Sequence, residues 1–516
     1  MTQKHPLRLF NSLGREVQDF QPIDPRNVRV YSCGPTVYNY AHIGNLRAYV
    51  FADTLRRVLT FKGYNVTHVI NITDVGHLTS DADEGEDKME VAASREKKSI
   101  WDIAAHYTAV FKDDVRRLNI LEPSHWTPAT AHIQEMIAFA RDLDQGGYLY
   151  ELEDGAYFDT ARVPDYGKLG LLDLEGQEAG ARVAGPGDKR NPADFAVWRK
   201  SPENSRRQME WHSPWGVGAP GWHLECSVMS MKYLGERFDI HTGGIDHRQV
   251  HHCNEIAQNQ GYTRSEKTGA NWWMHNEFLI MRDGKMSKSS GKFLTLGSLI
   301  DQGIHPAVYR LFLLGASYRS SLEFTWDALV GVRASLRRML LRVEDLKARA
   351  GDTSQWIKLA TEDHYSSGGS LSYLVERLTD GLTGKPADYI DKLDAAVSND
   401  LGTPVALAHL NELLFAKKTD PADVLRAAAV YDLVLGLNLL TMSPRDLVIR
   451  PAGQTIDEAE IEARLAERTE ARKAKDFARS DAIRDELEAM GVGIMDTPQG
   501  TLFEWLPLAA TDIKPE

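Results

Sequence analysis

The stretch "NVRVYSCGPTVYNYAHIGNLRAYVFADTLRRVLTFKGYNVTHVINITD", residues 27 to 74, constrains the fold more than any other part of the chain. A β-rich run ends at "SCGP", passes through a loop into apolar residues at helical spacing, and is followed by a second strand-like run. Strands that alternate with helices in this way lie parallel, because the helix carries the chain back along the sheet. Ligands of such sheets gather at the carboxyl ends of the strands, so "SCGP" and "NITD" are where function is expected. No G-x-G-x-x-G follows the first strand, and an ordinary dinucleotide site is not indicated.

The pattern is then interrupted. Gly- and Pro-rich sequence such as "VAGPGDKRNP", with short strand-like pieces such as "GAYFDT", reads as an insertion before sheet-like segments return in "FDIHTGG" and "NEFLIMRDGK". From about residue 305 helical spacing dominates, and the tail combines the helix "RKAKDFARSDAIRDELEAMG" with a strand-like "VGIMDTPQGTLFEW". The expected fold class is α/β: a split doubly wound parallel (Rossmann-like) domain with an insertion, then an α-helical bundle and a small C-terminal α/β module. The boundaries expected are 1–120 and 216–304 for the two halves of the split domain, 121–215 for the insertion, 305–455 for the bundle and 456–516 for the module.

Bulk properties exclude several classes. The longest apolar candidate, "YDLVLGLNLLTM", is too short to span a bilayer and carries Asp432 and Asn438. The N-terminus "MTQKHPLRLF" lacks the apolar core of a signal peptide. Three cysteines, Cys33, Cys226 and Cys253, make no disulfide framework, and a reducing cytoplasm is expected. A formal charge of −13 argues against bulk attraction to nucleic acid but leaves room for a local basic face.

Two short motifs carry chemistry. "HIGN", His42 to Asn45, opens a helix just after a strand, where unpaired N–H groups and the helix dipole favour phosphate. Gly44 permits close approach, and His42 and Asn45 can donate to phosphate oxygens. "KMSKS", Lys285 to Ser289, puts two lysines and two serines on one loop, a set able to neutralise developing phosphoryl charge. Each alone is weak evidence. Occurring in order, each after a strand, they resemble the HIGH and KMSKS signatures of class I aminoacyl-tRNA synthetases.

Five further blocks, "YSCGPTVYNYAHIGNLR", "SPWGVGAPGWHLECSVMSMKYLGERFDIHTGGIDH", "HHCNE", "WMHNEFLIMRDGKMSKSSG" and "DFARSDAIRDEL…DTPQGT", narrow the resemblance to the cysteinyl-tRNA synthetase family across nearly the whole chain. The resemblance implies one zinc ion per chain held by Cys33, Cys226, His251 and Glu255. The sequence is compatible, since residues four apart such as His251 and Glu255 share a helix face. It also implies Mg²⁺ with ATP; His42, Asn45, Lys285 and Lys288 acting on the phosphates; Gly44, Gly243, Gly244, Asp246 and Lys288 binding ATP; and Thr73, Trp222 and His241 around the substrate cysteine. The partners implied are ATP, L-cysteine and tRNA(Cys), with no membrane and a monomeric chain. Zinc would take the substrate as thiolate, separating cysteine from serine where an apolar pocket could not.

The chain departs from the family pattern in places. The first signature ends in Asn45 rather than His, and "HHCNE" carries Cys253 where the family has Glu; Cys253 is expected to stand off the zinc face as an outer or inert thiol. Arg464, Arg468, Arg472, Lys475 and Arg479 fall at helical spacing, either a phosphate-binding stripe or a solvated face. Two rival functions remain at this level. One is a cysteine ligase acting on an amino-sugar in mycothiol synthesis, a relative that lacks the Glu255 ligand and the long C-terminus. The other is a non-catalytic zinc-dependent tRNA-binding protein.

Overall fold

The parallel arrangement expected of residues 27–74 is present in the computed structural model, which describes residues 4–76, 88–172, 189–202, 207–281, 294–361, 371–497 and 500–506. Five parallel strands form one sheet in the spatial order Ala270–Asn276, Phe238–Gly244, Val28–Ser32, Val66–Ile72, His125–Pro128. Both faces are covered, so Val66–Ile72 is buried along almost its whole length, as central parallel strands are. The chain starts in the middle, winds to one edge, then returns to fill the other side. The direction therefore reverses between Val28–Ser32 and Phe238–Gly244, where His241 pairs with Tyr31 and Thr242 with Ser32. A crevice opens at that reversal, beyond the strand ends.

The helix Ile43–Phe61 packs on this sheet and also against the helix Pro421–Leu435, so nearly every side chain along it is buried. In the sequence between the halves of the parallel sheet, the chain builds a separate antiparallel sheet in the order Leu149–Leu152, Gly155–Phe158, Phe195–Lys200, Gly216–Pro220, Trp211–Ser213. Sheet pairing assigns His125–Pro128 to the parallel sheet and Gly216–Pro220 to the antiparallel one, whereas the sequence pattern drew the insertion at 121–215. Strand-like composition alone does not say which sheet a strand joins.

The helical region contains Trp326–Ala350, Gly384–Ser398, Thr403–Leu414 and Pro421–Leu435 packed together. The C-terminal module pairs the helices Glu458–Lys473 and Phe477–Ala489, each with an aspartate N-cap, and adds the hairpin Val492–Thr497/Gly500–Trp505. Ile461, Ile483, Leu487, Val492 and Trp505 give it a core of its own. Among the described residues, no helix is long and apolar enough to cross a membrane.

Candidate metal and substrate site

Four side chains from distant parts of the sequence meet at the reversal of the sheet. Cys33 follows the strand Val28–Ser32, and its backbone N–H donates to Thr242 O at 3.1 Å, tying it to the neighbouring strand. Cys226 lies in the helix Trp222–Leu234, while His251 and Glu255 lie one turn apart in the helix His251–Thr263. All four are buried, and their ligating atoms lie within 4.8 Å of one another. His251 Nε2 and Glu255 Oε1 are 3.0 Å apart, yet neither has a hydrogen-bond partner. Two buried polar atoms held this way are satisfied by a shared cation, and a thiol, imidazole and carboxylate set suits a borderline-soft divalent ion.

Burial pushes the Glu255 carboxyl up, but His241 and His251 outweigh it and bring the pKa to about 2. Burial pushes His251 down, but Glu255 and Cys226 raise it to about 10. Burial, then Cys226, holds the Cys33 thiol well above its ordinary value. Cys226 is lowered to about 7, because Cys33 and His251 outweigh burial. The Glu255 carboxylate is thus balanced by a positively charged His251, a balance that a bound cation would supply in its place.

The remaining expected residues surround this set. Glu255 Oε2 accepts from His241 Nε2 at 2.9 Å, and the His241 ring stacks on Trp273 with centroids 4.5 Å apart. Cys33, His241, His252 and Glu255 form a second group with ligating atoms equally close. Trp222 stacks on the His251 ring at 4.2 Å. Thr73 Oγ1 donates to Glu225 Oε2 at 3.0 Å and accepts from Asn71 Nδ2 at 3.1 Å. Its backbone grips the loop after Cys33 through Pro35 O and Val37 N. Gly243 and Gly244 end their strand, and Asp246 follows on a short exposed turn. A Cβ on Gly243 would lie 2.7 Å from His252 Cε1, and one on Gly244 2.3 Å from Asp246 Oδ1.

Cys253 stands apart from both ligand groups. Its thiol donates to Arg248 O at 3.3 Å, and burial raises its pKa to about 11. His252, by contrast, belongs to the site. Its Nε2 lies 3.3 Å from Cys33 Sγ, its Nδ1 lies 2.8 Å from His275 Nε2, and His275 Nδ1 lies 2.8 Å from Ser12 Oγ. Burial holds His252 and His275 well below the ordinary imidazole pKa, so both are neutral. His252 and Glu255 are three apart on the helix, a spacing that shares a face as four does, so that signal was present in the sequence. Ser12, Glu225 and His275 carried no local signal.

"HIGN" opens the helix Ile43–Phe61 as a reciprocal cap. Asn45 N–H donates to His42 Nδ1 at 3.0 Å, and His42 N–H donates to Asn45 Oδ1 at 3.3 Å. A neutral imidazole accepting at Nδ1 carries its proton on Nε2. Ile43 N–H donates to Leu294 O at 2.8 Å, and His42 forms a bridge with Thr295. Leu294 and Thr295, the first described residues after the second motif, therefore abut the first motif. Lys285 and Lys288 lie outside the described residues.

Four of the five basic residues of the tail, Arg464, Arg468, Arg472 and Arg479, are neutralised within it. Buried Arg468 makes a two-pronged bond to Asp496 at 2.8 and 3.1 Å, Arg464 pairs with Glu486, and Arg479 pairs with Glu467 and Glu486. Arg472 also reaches Asp496. The periodicity reads as an internal ion-pair network that fastens the helices to the hairpin.

Comparison with known proteins gives concordant matches. Residues 19–334 match the family described as tRNA synthetases class I (C) catalytic domain, and residues 458–503 match the cysteinyl-tRNA ligase anticodon binding domain. A cysteine–tRNA ligase of Zymomonas mobilis subsp. mobilis is 53% identical over 97% of this chain and 98% of its own. One of Novosphingobium aromaticivorans is 54% identical over 97% of each. A solved methionyl-tRNA synthetase of Mycobacterium tuberculosis, bound by methionyl-adenylate, aligns with a TM-score of 0.52 over 82% of this chain and 93% of that one. At 13% identity this last likeness concerns the fold alone.

Proposed function

The chain belongs to the cysteinyl-tRNA synthetase family of class I tRNA synthetases, and we propose the following roles for its residues in activating L-cysteine with ATP and transferring it to tRNA(Cys). In the first step a cysteine carboxylate oxygen attacks the α-phosphorus of ATP, and the bond to pyrophosphate breaks. In the second, a hydroxyl of the terminal ribose of tRNA attacks the carbonyl carbon, and AMP leaves. Neither step needs a covalent enzyme intermediate, so the protein contributes orientation and charge stabilisation.

His42, with its proton on Nε2, donates to a phosphate oxygen, and Asn45 has amide hydrogens left to do the same. Gly44, without a Cβ, lets phosphate approach the start of the helix. Lys285 and Lys288 balance the charge that develops on the phosphates, with Lys288 also holding ATP and Mg²⁺ accompanying it. Gly243 and Gly244 clear room for the adenosine, and the Asp246 carboxylate accepts from ribose hydroxyls. Thr73, Trp222 and His241 close around the cysteine.

Cys33, Cys226, His251 and Glu255 are the residues that would hold zinc. Bound there, the ion supplies a soft Lewis acid that prefers a thiolate to a hydroxyl. The observation that carries this reading is the convergence of these four side chains at the reversal of the sheet. The domain division expected from sequence assigns tRNA to the bundle 305–455 and the module 456–516; the match over 458–503 supports tRNA over an amino-sugar acceptor. Every residue invoked comes from one chain, consistent with a monomer. The substrates, and three cysteines free of disulfides, fit the cytoplasm.

The test combines metal content with pyrophosphate exchange. The purified protein is expected to carry one zinc per chain and to prefer cysteine over serine by about 10⁴-fold. Cys226→Ser and His251→Ala are expected to lose both the metal and the preference. Retention of full discrimination by metal-free variants would overturn the reading.

A further inference from the structure

The hydrogen bonds behind Cys33 form a line through Cys33 Sγ, His252, His275 and Ser12 Oγ, with links of 3.3, 2.8 and 2.8 Å, and Glu255 Oε1 stands farther off His252 Nε2 at 3.9 Å. All four residues are buried. The line joins the helix His251–Thr263, the edge strand Ala270–Asn276 and the N-terminal segment around Ser12, whose backbone N–H is fixed to Trp273 O at 2.8 Å. Ser12, His252 and His275 have no role in the reaction described above.

A neutral imidazole has one donor and one acceptor nitrogen, so two histidines in series allow only two proton arrangements. In one, each ring donates toward Ser12 and His252 Nε2 presents a lone pair to Cys33. In the other, Ser12 O–H donates to His275 Nδ1, His275 Nε2–H donates to His252 Nδ1, and His252 Nε2–H donates to sulfur. A metal-bound sulfur has no proton to give and accepts only. Such a ligand selects the second arrangement, which needs a hydroxyl donor at its far end.

We propose that Ser12, His275 and His252 are positioning residues that hold an N–H donor against the Cys33 sulfur, with the Ser12 hydroxyl setting the direction of the line. A hydrogen bond to a thiolate withdraws charge from sulfur and weakens its donation to the metal. The metal is then a stronger acid toward the thiol of the incoming cysteine. The proposal rests on Cys33 being a metal ligand, and the experiment separates the two ideas.

Cobalt(II) replaces the native metal in the full-length protein, and its thiolate-to-metal charge-transfer band reports the charge on sulfur. Wild-type protein without such a band would refute the metal reading itself. Given the band, Ser12→Ala and His275→Phe are expected to shift it to lower energy. KM for cysteine in pyrophosphate exchange is expected to rise about tenfold, with kcat and KM for ATP changing little. Ser12→Thr keeps the hydroxyl and is expected to restore both the band and KM. A band unmoved in Ser12→Ala, or a Ser12→Thr variant behaving like Ser12→Ala, would overturn the proposal, because packing alone would then explain the residue.

Discussion

Gly34 sits where the two central strands deliver their loops to the site, and nothing larger fits there. A Cβ at this position would lie 1.5 Å from the carbonyl oxygen of Asn71, inside covalent range and against backbone that cannot swing away. Its N–H donates to Asn71 Oδ1 at 2.7 Å, and Asn71 in turn holds Thr73. Gly34→Ala is therefore expected to separate the loops carrying Cys33 and Thr73. The measurement is soluble yield and thermal midpoint, with a loss above about 4 kcal/mol or failure to fold; a wild-type midpoint would contradict the close approach. At this scale the sequence was informative where chemistry is unusual for its type, as with scarce cysteines and a His-His pair. The resemblance supplied the ligand set and helix spacing removed Cys253. Ser12 and His275 stayed hidden, because a serine near the N-terminus and a strand histidine look like ordinary interior polar residues until the sheet brings them together.

The elements were legible by period and motif, but the way they are joined was not. The helix Pro421–Leu435 ends inside the protein at Gly436, whose φ of 65° is a left-handed cap. Its last carbonyls need donors, as at any helix end. Arg57 Nη1 reaches Leu433 O at 3.0 Å, and Arg310 Nε reaches Leu435 O at 2.8 Å. Asp53 in the helix Ile43–Phe61 accepts from both arginines. Nothing in the local sequence pairs Asp53 with an arginine more than two hundred residues away. Beside this joint, Asp432 accepts from Leu437 N–H at 2.9 Å. Burial raises its pKa to about 6 against the N–H bonds and Arg57. Since its folded value lies above its unfolded one, its contribution is fully present below about pH 4 and is lost as pH rises through about 6. Asp432→Asn removes that titration. Relative to wild type, the variant is expected to gain on the order of 2 kcal/mol between pH 4 and 7. Thermal midpoints across that range would show it, and parallel curves would contradict it.

At the scale of the molecule, the C-terminal module is fastened to the long helix Trp326–Ala350. Arg333 Nη1 donates to Trp505 O at 2.9 Å, and Arg337 Nη1 meets Glu504 Oε2 at 2.5 Å. That helix begins just after the strand Leu322–Phe324, which pairs in parallel with Leu279–Met281, the last described residues before the KMSKS segment. Pyrophosphate exchange needs no tRNA, whereas charging does. Glu504→Ala is therefore expected to raise KM for tRNA roughly tenfold, equivalent to about 1.4 kcal/mol, and to leave exchange unchanged. Equal effects on both assays would show that the seam stabilises the whole molecule instead. The sequence disclosed that a small module follows a bundle. It did not disclose where the module is pinned, because arginines at helical spacing look alike whether they face water or a partner.

The seam also makes the start of that helix an indexing device. Arg333 and Arg337 are one turn apart and face one way, and each residue of an α-helix advances the face by about 100°. One residue inserted between Phe324 and Arg333 would turn both guanidinium groups away from Glu504, together with the buried Leu336, Met339 and Leu340 of the same helix. Chain length between those two points is set like the teeth of a gear: a turn added there would restore the direction of both arginines yet carry them about 5.4 Å along the axis, past their partners.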